Sequence, residues 1–200
     1  MKKIIFLGIF TLIFSNTFAV INVETKAGLS LMDKYDISGG GYNGSISYNF
    51  GAEGLYEATD TTEVGLGFGY KYNSPAKGSI YSTNSSDSMH LFNSLHIYGV
   101  AKYTFPEIGQ YTIYGKYYLG MSYNTIGNYD WALSVKPGIY TGLGLGLEYG
   151  NVVGDLSYCI QETQVTFINP DNGNSKETKS VKHSSINITA GYRFELPWFK

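Results

Sequence analysis

From residue 21 onward, apolar and polar side chains alternate with a period of two, the spacing of a strand with one face on each side of a sheet. INVETKAGLSLM (21–32) sets Ile21, Val23, Ala27, Leu29 and Leu31 against Asn22, Glu24, Lys26, Gly28 and Ser30. The rhythm returns in 45–58, 63–72 (EVGLGFGYKY), 95–105, 110–123, 139–149 (IYTGLGLGLEY), 153–163 and 184–194. That makes eight candidate strands, most of them about as long as the roughly 9–11 residues of a tilted membrane-spanning strand. From residue 20 onward no segment sustains a period near 3.6, and none is an apolar run of transmembrane-helix length.

The connections alternate as well. Residues 33–41, 73–88, 124–138 and 167–182 are long and rich in Gly, Asn, Ser and Asp. Between them lie the short turns TDTT (59–62), PEIG (106–109) and GNV (150–152). Long and short in strict succession is the signature of an up-and-down meander with its two ends in different surroundings. The predicted fold class is all-β, an eight-stranded antiparallel up-and-down transmembrane β-barrel.

A soluble, lipocalin-like barrel also alternates, with its apolar face inside. Here the polar face carries charges along its whole length: Glu24, Lys26, Glu53, Glu57, Glu63, Lys71, Lys102, Lys116, Glu148, Asp155 and Arg193. The opposite face gathers aromatic residues at the short-turn end: Tyr56, Tyr103, Phe105, Tyr111, Tyr149, Tyr192 and Phe194. Rings with an apolar body and a polar tip form the girdles of membrane barrels. The apolar face is therefore read as lipid-facing and the charged face as lumenal. An eight-stranded barrel is only wide enough for side chains to fill. Gly65, Gly67, Gly69, Gly142, Gly144 and Gly146 would then leave room for larger residues opposite. Six acids against five bases predict internal ion pairs that plug the lumen; a selective pore would show one dominant sign.

The start of the chain, MKKIIFLGIFTLIFSNTFA, reads as a secretory signal peptide: Lys2 and Lys3, an apolar core over Ile4–Phe14, then a small-residue cleavage pattern at Thr17-Phe18-Ala19. Residues 1–19 are the expected leader and 20–200 the barrel domain, with Val20 where a lipoprotein would need Cys. Without Lys2 and Lys3 the formal net charge falls from −2 to about −4, and no basic patch suggests nucleic acid. Cys159 is the single cysteine, so no internal disulfide and no Cys-rich metal site is predicted.

The hairpins ISYNFGAEGLYEATDTTEVGLGFGYKY (46–72) and IYGVAKYTFPEIGQYTIYGKYYLG (97–120), with the closing SSINITAGYRF (184–194), resemble the small eight-stranded outer-membrane barrels of the OmpA, OmpX and opacity-protein type. The resemblance spans 21–194. It implies a Gram-negative outer-membrane location, lipid as the surroundings, and periplasmic chaperones and the barrel-assembly machinery as partners during biogenesis. In that family the last strand ends in an aromatic assembly signal, a role that Gly191, Tyr192 and Phe194 match. ELPWFK (195–200) runs beyond it, so Phe199 competes with Phe194 for the terminal position.

Candidate chemistry is sparse. GLGFG and GLGLG lack the third Gly of a dinucleotide fingerprint, since Tyr70 and Leu147 stand there. KHSSIN (182–187) faintly resembles the His-x-Ser-Asn element of outer-membrane lipid A deacylases, with His183 as base, Ser185 as nucleophile and Glu162 as third group. His90 and His96 would lie about 20 Å apart on one strand face, too far for one ion. Asn43-Gly44-Ser45 and Asn187-Ile188-Thr189 match the glycosylation pattern, which is uninformative in a bacterial envelope protein. No catalytic residue, cofactor or metal is predicted. The reading is a non-enzymatic barrel whose loops contact the exterior, in a surface, adhesion or envelope-structural role and with a possible external ligand. A small porin-like channel is the alternative, and a lipid A or phospholipid acyl hydrolase a more distant one.

Overall fold

The computed structural model describes residues 21–37, 40–77, 88–89, 92–126, 132–169 and 175–196. The leader predicted at 1–19, His90 and Phe199 lie outside these residues. The strands are β1 (Ile21–Ile37), β2 (Gly40–Asn43), β3 (Ser47–Thr59), β4 (Thr62–Tyr72), β5 (Ala76–Lys77), β6 (Ser88–Met89), β7 (Phe92–Thr104), β8 (Thr112–Ile126), β9 (Ala132–Val135), β10 (Gly138–Tyr149), β11 (Val152–Asn169) and β12 (Ser175–Leu196).

Eight of them pair antiparallel in the order β1-β3-β4-β7-β8-β10-β11-β12, and β12 returns to β1 from Ile21↔Leu196 to Ile37↔Val181. The sheet closes on itself, which leaves no unpaired edge around its waist, the condition a sheet must meet in hydrocarbon. These are the eight strands expected from the alternation. The hairpin turns fall where predicted: Thr59↔Thr62 brackets one, and Gly150 at φ 56° opens the two-residue turn between Tyr149 and Val152.

At the long-connection end the strands outrun the prediction. β11 and β12 pair without interruption from Val152↔Tyr192 to Asn169↔Ser175, so residues 175–182, expected in a loop, are strand. Their sequence, SKETKSVK, has little apolar alternation because a projecting hairpin faces water on both sides; Lys176, Glu177 and Thr178 are exposed. β9 adds to β11 at Val135↔Val165 and β2 to β1 at Lys34↔Asn43. In β1 the register shifts between Leu31 and Lys34, and Met32 takes a positive φ of 53°. This bulge reverses the phase of the strand, so that Asp33, Tyr35 and Ile37 turn inward where even-numbered residues pointed inward before.

The wall is apolar outside and charged inside. Leu66 is 72 % exposed and Leu143 65 %, whereas Glu24 and Lys102 are at most 1 % exposed. Tyr103, Phe105, Tyr111, Tyr149, Tyr192 and Phe194 stand on the outer surface at the short-turn end, several in ring pairs such as Tyr103–Phe105 and Tyr192–Phe194; Tyr56 is half-buried among them.

The lumen as candidate functional site

Alternation delivers one side chain in two to the lumen, and the order along each strand sorts these residues into three levels. The lowest, toward the short turns, is ionic. Glu24 meets Lys102 (2.9 Å) and Lys116 (2.6 Å) from across the barrel, Lys26 beside it (2.9 Å) and Arg193 (3.4 Å). Glu53 holds Lys116 (2.7 Å) and Lys26 (3.0 Å), and Asp155 takes Lys26 at 2.6 Å. Arg193 grips Glu63 at 2.6 Å and reaches Glu148 at 3.1 Å, while Lys102 also contacts Glu63 and Glu148. Tyr114 lies in the middle, its hydroxyl donating to Asp155 at 2.7 Å and its ring 4.3 Å below the Lys102 ammonium.

Nine of the eleven charges read as lumenal, all but Lys71 and Glu57, thus share one network of five carboxylates and four cations. Lys71 stands apart from it. It sits higher, donating to Asp33 (2.6 Å) and Ser185 (2.9 Å). Glu57 is at the lower rim with its side chain 50 % exposed. Desolvating so many charges is costly, and ion pairing offsets that cost only while each group keeps its partners. The network therefore fixes the geometry of the lumen more than it adds stability.

Above lies a level of neutral polar and aromatic groups. Asn187 accepts from Ser30 (2.5 Å) and Ser185 (3.3 Å); His96 meets Gln161 at 3.2 Å and stacks on Tyr140 at 4.2 Å. At this level lies a cavity of about 90 Å³ lined by Lys71, His96, Tyr98, Tyr140, Cys159 and Ser185, among others. At roughly 10–15 Å³ per water this is room for several. The inward tyrosines 98, 114, 118 and 140 are absent from the sequence reading, which assigned aromatics outward. Their phase relative to Lys102 and Lys116 was the available signal: Tyr98 and Lys102, or Tyr114, Lys116 and Tyr118, are separated by even steps.

The top level is apolar. Tyr35, Ile37, Phe92, Val165, Phe167 and Val181 are each at most 4 % exposed and pack together, with Tyr42 and Val135 against them. They belong to the extended ends of β1, β7, β11 and β12; Tyr35, Ile37, Phe167 and Val181 come from stretches expected to be loop and, with Phe92 and Val165, build a cap over the polar level. His183 joins the two levels. Its ring stacks on Tyr35 (4.4 Å), and its Nε2 lies 3.1 Å from Asp33 Oδ1.

The hydrolase triad considered from KHSSIN is not assembled. His183 is engaged with Asp33, and Glu162 points outward, exposed and opposite Lys182. Ser185 has Lys71 as its neighbour, but an ammonium paired with a carboxylate is a donor and not a base. Among the described residues no group of three His, Cys, Asp or Glu is placed to hold a metal ion.

No protein-family profile matches the chain. It is 25 % identical over 236 aligned positions to an uncharacterized protein of Pasteurella multocida, covering 97 % of this chain and 98 % of that one. Among solved structures it is similar to the outer membrane protein OprG of Pseudomonas aeruginosa, with 17 % identity, 90 % and 97 % of the two chains covered and a TM-score of 0.50. It is also similar to the outer membrane protein AlkL, solved in lipid bilayers, with 13 % identity, 92 % and 94 % covered and a TM-score of 0.53. The fold is that of the small outer-membrane β-barrels.

Proposed function

We propose that this chain is an exported, non-enzymatic protein of the bacterial outer membrane, with a closed lumen and with exterior hairpins that carry its contacts with the surroundings. The observation that carries the reading is Lys102. It is 1 % exposed at the level where a pore would need water, and it is held by Glu24, Glu63 and Glu148 from three different strands. Among the described residues, a lumen crossed by such pairs and roofed by an apolar cap supports a closed barrel without a continuous aqueous path. Function then falls to the exterior ends, where the β11–β12 hairpin presents a surface or envelope-structural contact.

Outer-membrane lipid surrounds the barrel in this reading. The assembly machinery takes Gly191, Tyr192 and Phe194 as its signal, and the outward, half-exposed rings of Tyr192 and Phe194 support that role. A porin-like channel is the second reading, favoured by the cavity in the upper lumen. Detergent-refolded protein run unboiled and boiled, followed by planar-bilayer recording, separates the two. A heat-shifted band with silent insertions is expected. Steady conductance from the same sample would make the protein a channel, and a freely soluble chain without heat shift would refute the membrane assignment.

A further inference from the structure

His183 stands where the polar level meets the cap. On one side its ring lies flat against Tyr35 and edge-on to Phe92, both members of the apolar cluster. On the other it shares the carboxylate of Asp33 with the Lys71 ammonium, at 3.1 and 2.6 Å. The groups that face it from the surrounding strands are Asp33 and Tyr35 on β1, Lys71 on β4 and His96 on β7, with the neutral Gln161 paired opposite it on β11. This level is outside the apolar band, because the outward neighbours Asp36, Lys182 and Glu162 are charged. His183 is 3 % exposed.

We infer that His183 is an acid-triggered latch on the exterior cap: protonation of its ring releases the cap and opens the chamber beneath to the outside. While the ring is neutral, one carboxylate serves one cation, and His183 completes the set through its N–H. A charged ring places two cations on one carboxylate in a site with little water, and the ammonium of Lys71 has the better-solvated path downward through Ser185 and the cavity. The imidazolium gains hydration by leaving toward the exterior, and its departure unstacks Tyr35. Burial and the Lys71 charge hold the imidazole below its ordinary range, to about 4, so the latch answers to strong acid and not to mild acid. The inference rests on the closed-lumen reading above.

The lone thiol reports on it. Cys159 lines the chamber at 5 % exposure, beneath the cap. Its rate of disulfide exchange with a pyridyl disulfide, which reacts at acid pH, is measured in the refolded barrel at about pH 7 and about pH 3.5 and divided by the rate in urea-unfolded chain at the same pH. Protection at neutral pH and a loss of at least about tenfold of that protection in acid is the expected result. His183→Phe, which keeps the stacking, and His183→Gln, which keeps a donor for Asp33, are both expected to stay protected at both pH values, with the heat-shifted band certifying their fold. No acid response in the natural protein, or an equal response in both variants, would overturn the latch and leave the closed lumen standing. Rapid exchange already at neutral pH would overturn both.

Discussion

The ring of Tyr114 occupies the space that a side chain at Gly146 would need: a Cβ there would stand 2.2 Å from Tyr114 Cε2. Tyr98 does the same over Gly67, at 2.4 Å. The glycine-rich strands are the inner wall against which large rings from other strands lie. Gly146→Ala is expected to cost about 1–3 kcal/mol through overpacking. In the double variant with Tyr114→Ala that penalty largely disappears, although Tyr114→Ala alone also destabilises. Urea unfolding of the four proteins in lipid vesicles gives the cycle; additive effects would show that the ring is not what excludes the Cβ.

Glu24 contacts Lys26, Lys102, Lys116 and Arg193 at once. Glu24→Gln removes the one charge that these cations share and is expected to destabilise the barrel by about 3–5 kcal/mol. Glu57→Gln, at the half-exposed rim, is expected to change stability by less than about 1 kcal/mol. Equal effects on the unfolding midpoint would mean that water reaches the network.

Phe167 is fully buried in the cap. Phe167→Ala is expected to cost about 3–5 kcal/mol where the site cannot collapse. The same variant should expose Cys159 to thiol reagents at neutral pH while the heat-shifted band is retained. Unchanged protection of Cys159 would place the seal elsewhere.

Leu66 lies midway along β4 on the outer face, 72 % exposed. If that face meets hydrocarbon, Leu66→Arg should cost about 2–4 kcal/mol in vesicles, whereas Thr178→Arg on the projecting hairpin should be silent. A neutral Leu66→Arg would argue for water on that face.

The eight strands and the facing of their side chains were legible because a closed sheet with two unlike sides imposes a period of two on everything it contains. What the alternation missed lies where that period breaks. The bulge at Met32 shifts β1 by one residue, so Asp33 and Tyr35 look like loop in the sequence although they line the upper lumen. Residues 175–180 carry no apolar face because none is buried there, and a hydropathy pattern is blind to such a strand. The ionic level was readable in kind, since its members keep phase with one another. Its separation from Lys71 was not, because strand tilt and stagger set the height of a residue in the lumen and neither is written in any single strand. The left-handed Met32 makes its own prediction: Met32→Gly should stabilise the protein by about 1 kcal/mol in the unfolding assay, the backbone strain being relieved at an exposed position.

The seam between β1 and β12 joins the first and last described strands, pairing Ile21 with Leu196. Its loop closure therefore spans almost the whole chain, and it is the contact that can form only after every other strand exists. Until then the nascent protein carries two raw edges and an outer face of Leu, Phe and Tyr with nothing to bury it. A chain of this design has no half-built form that is safe in water. If the chain is exported as proposed, it would have to be held unfolded until its last strand has been delivered.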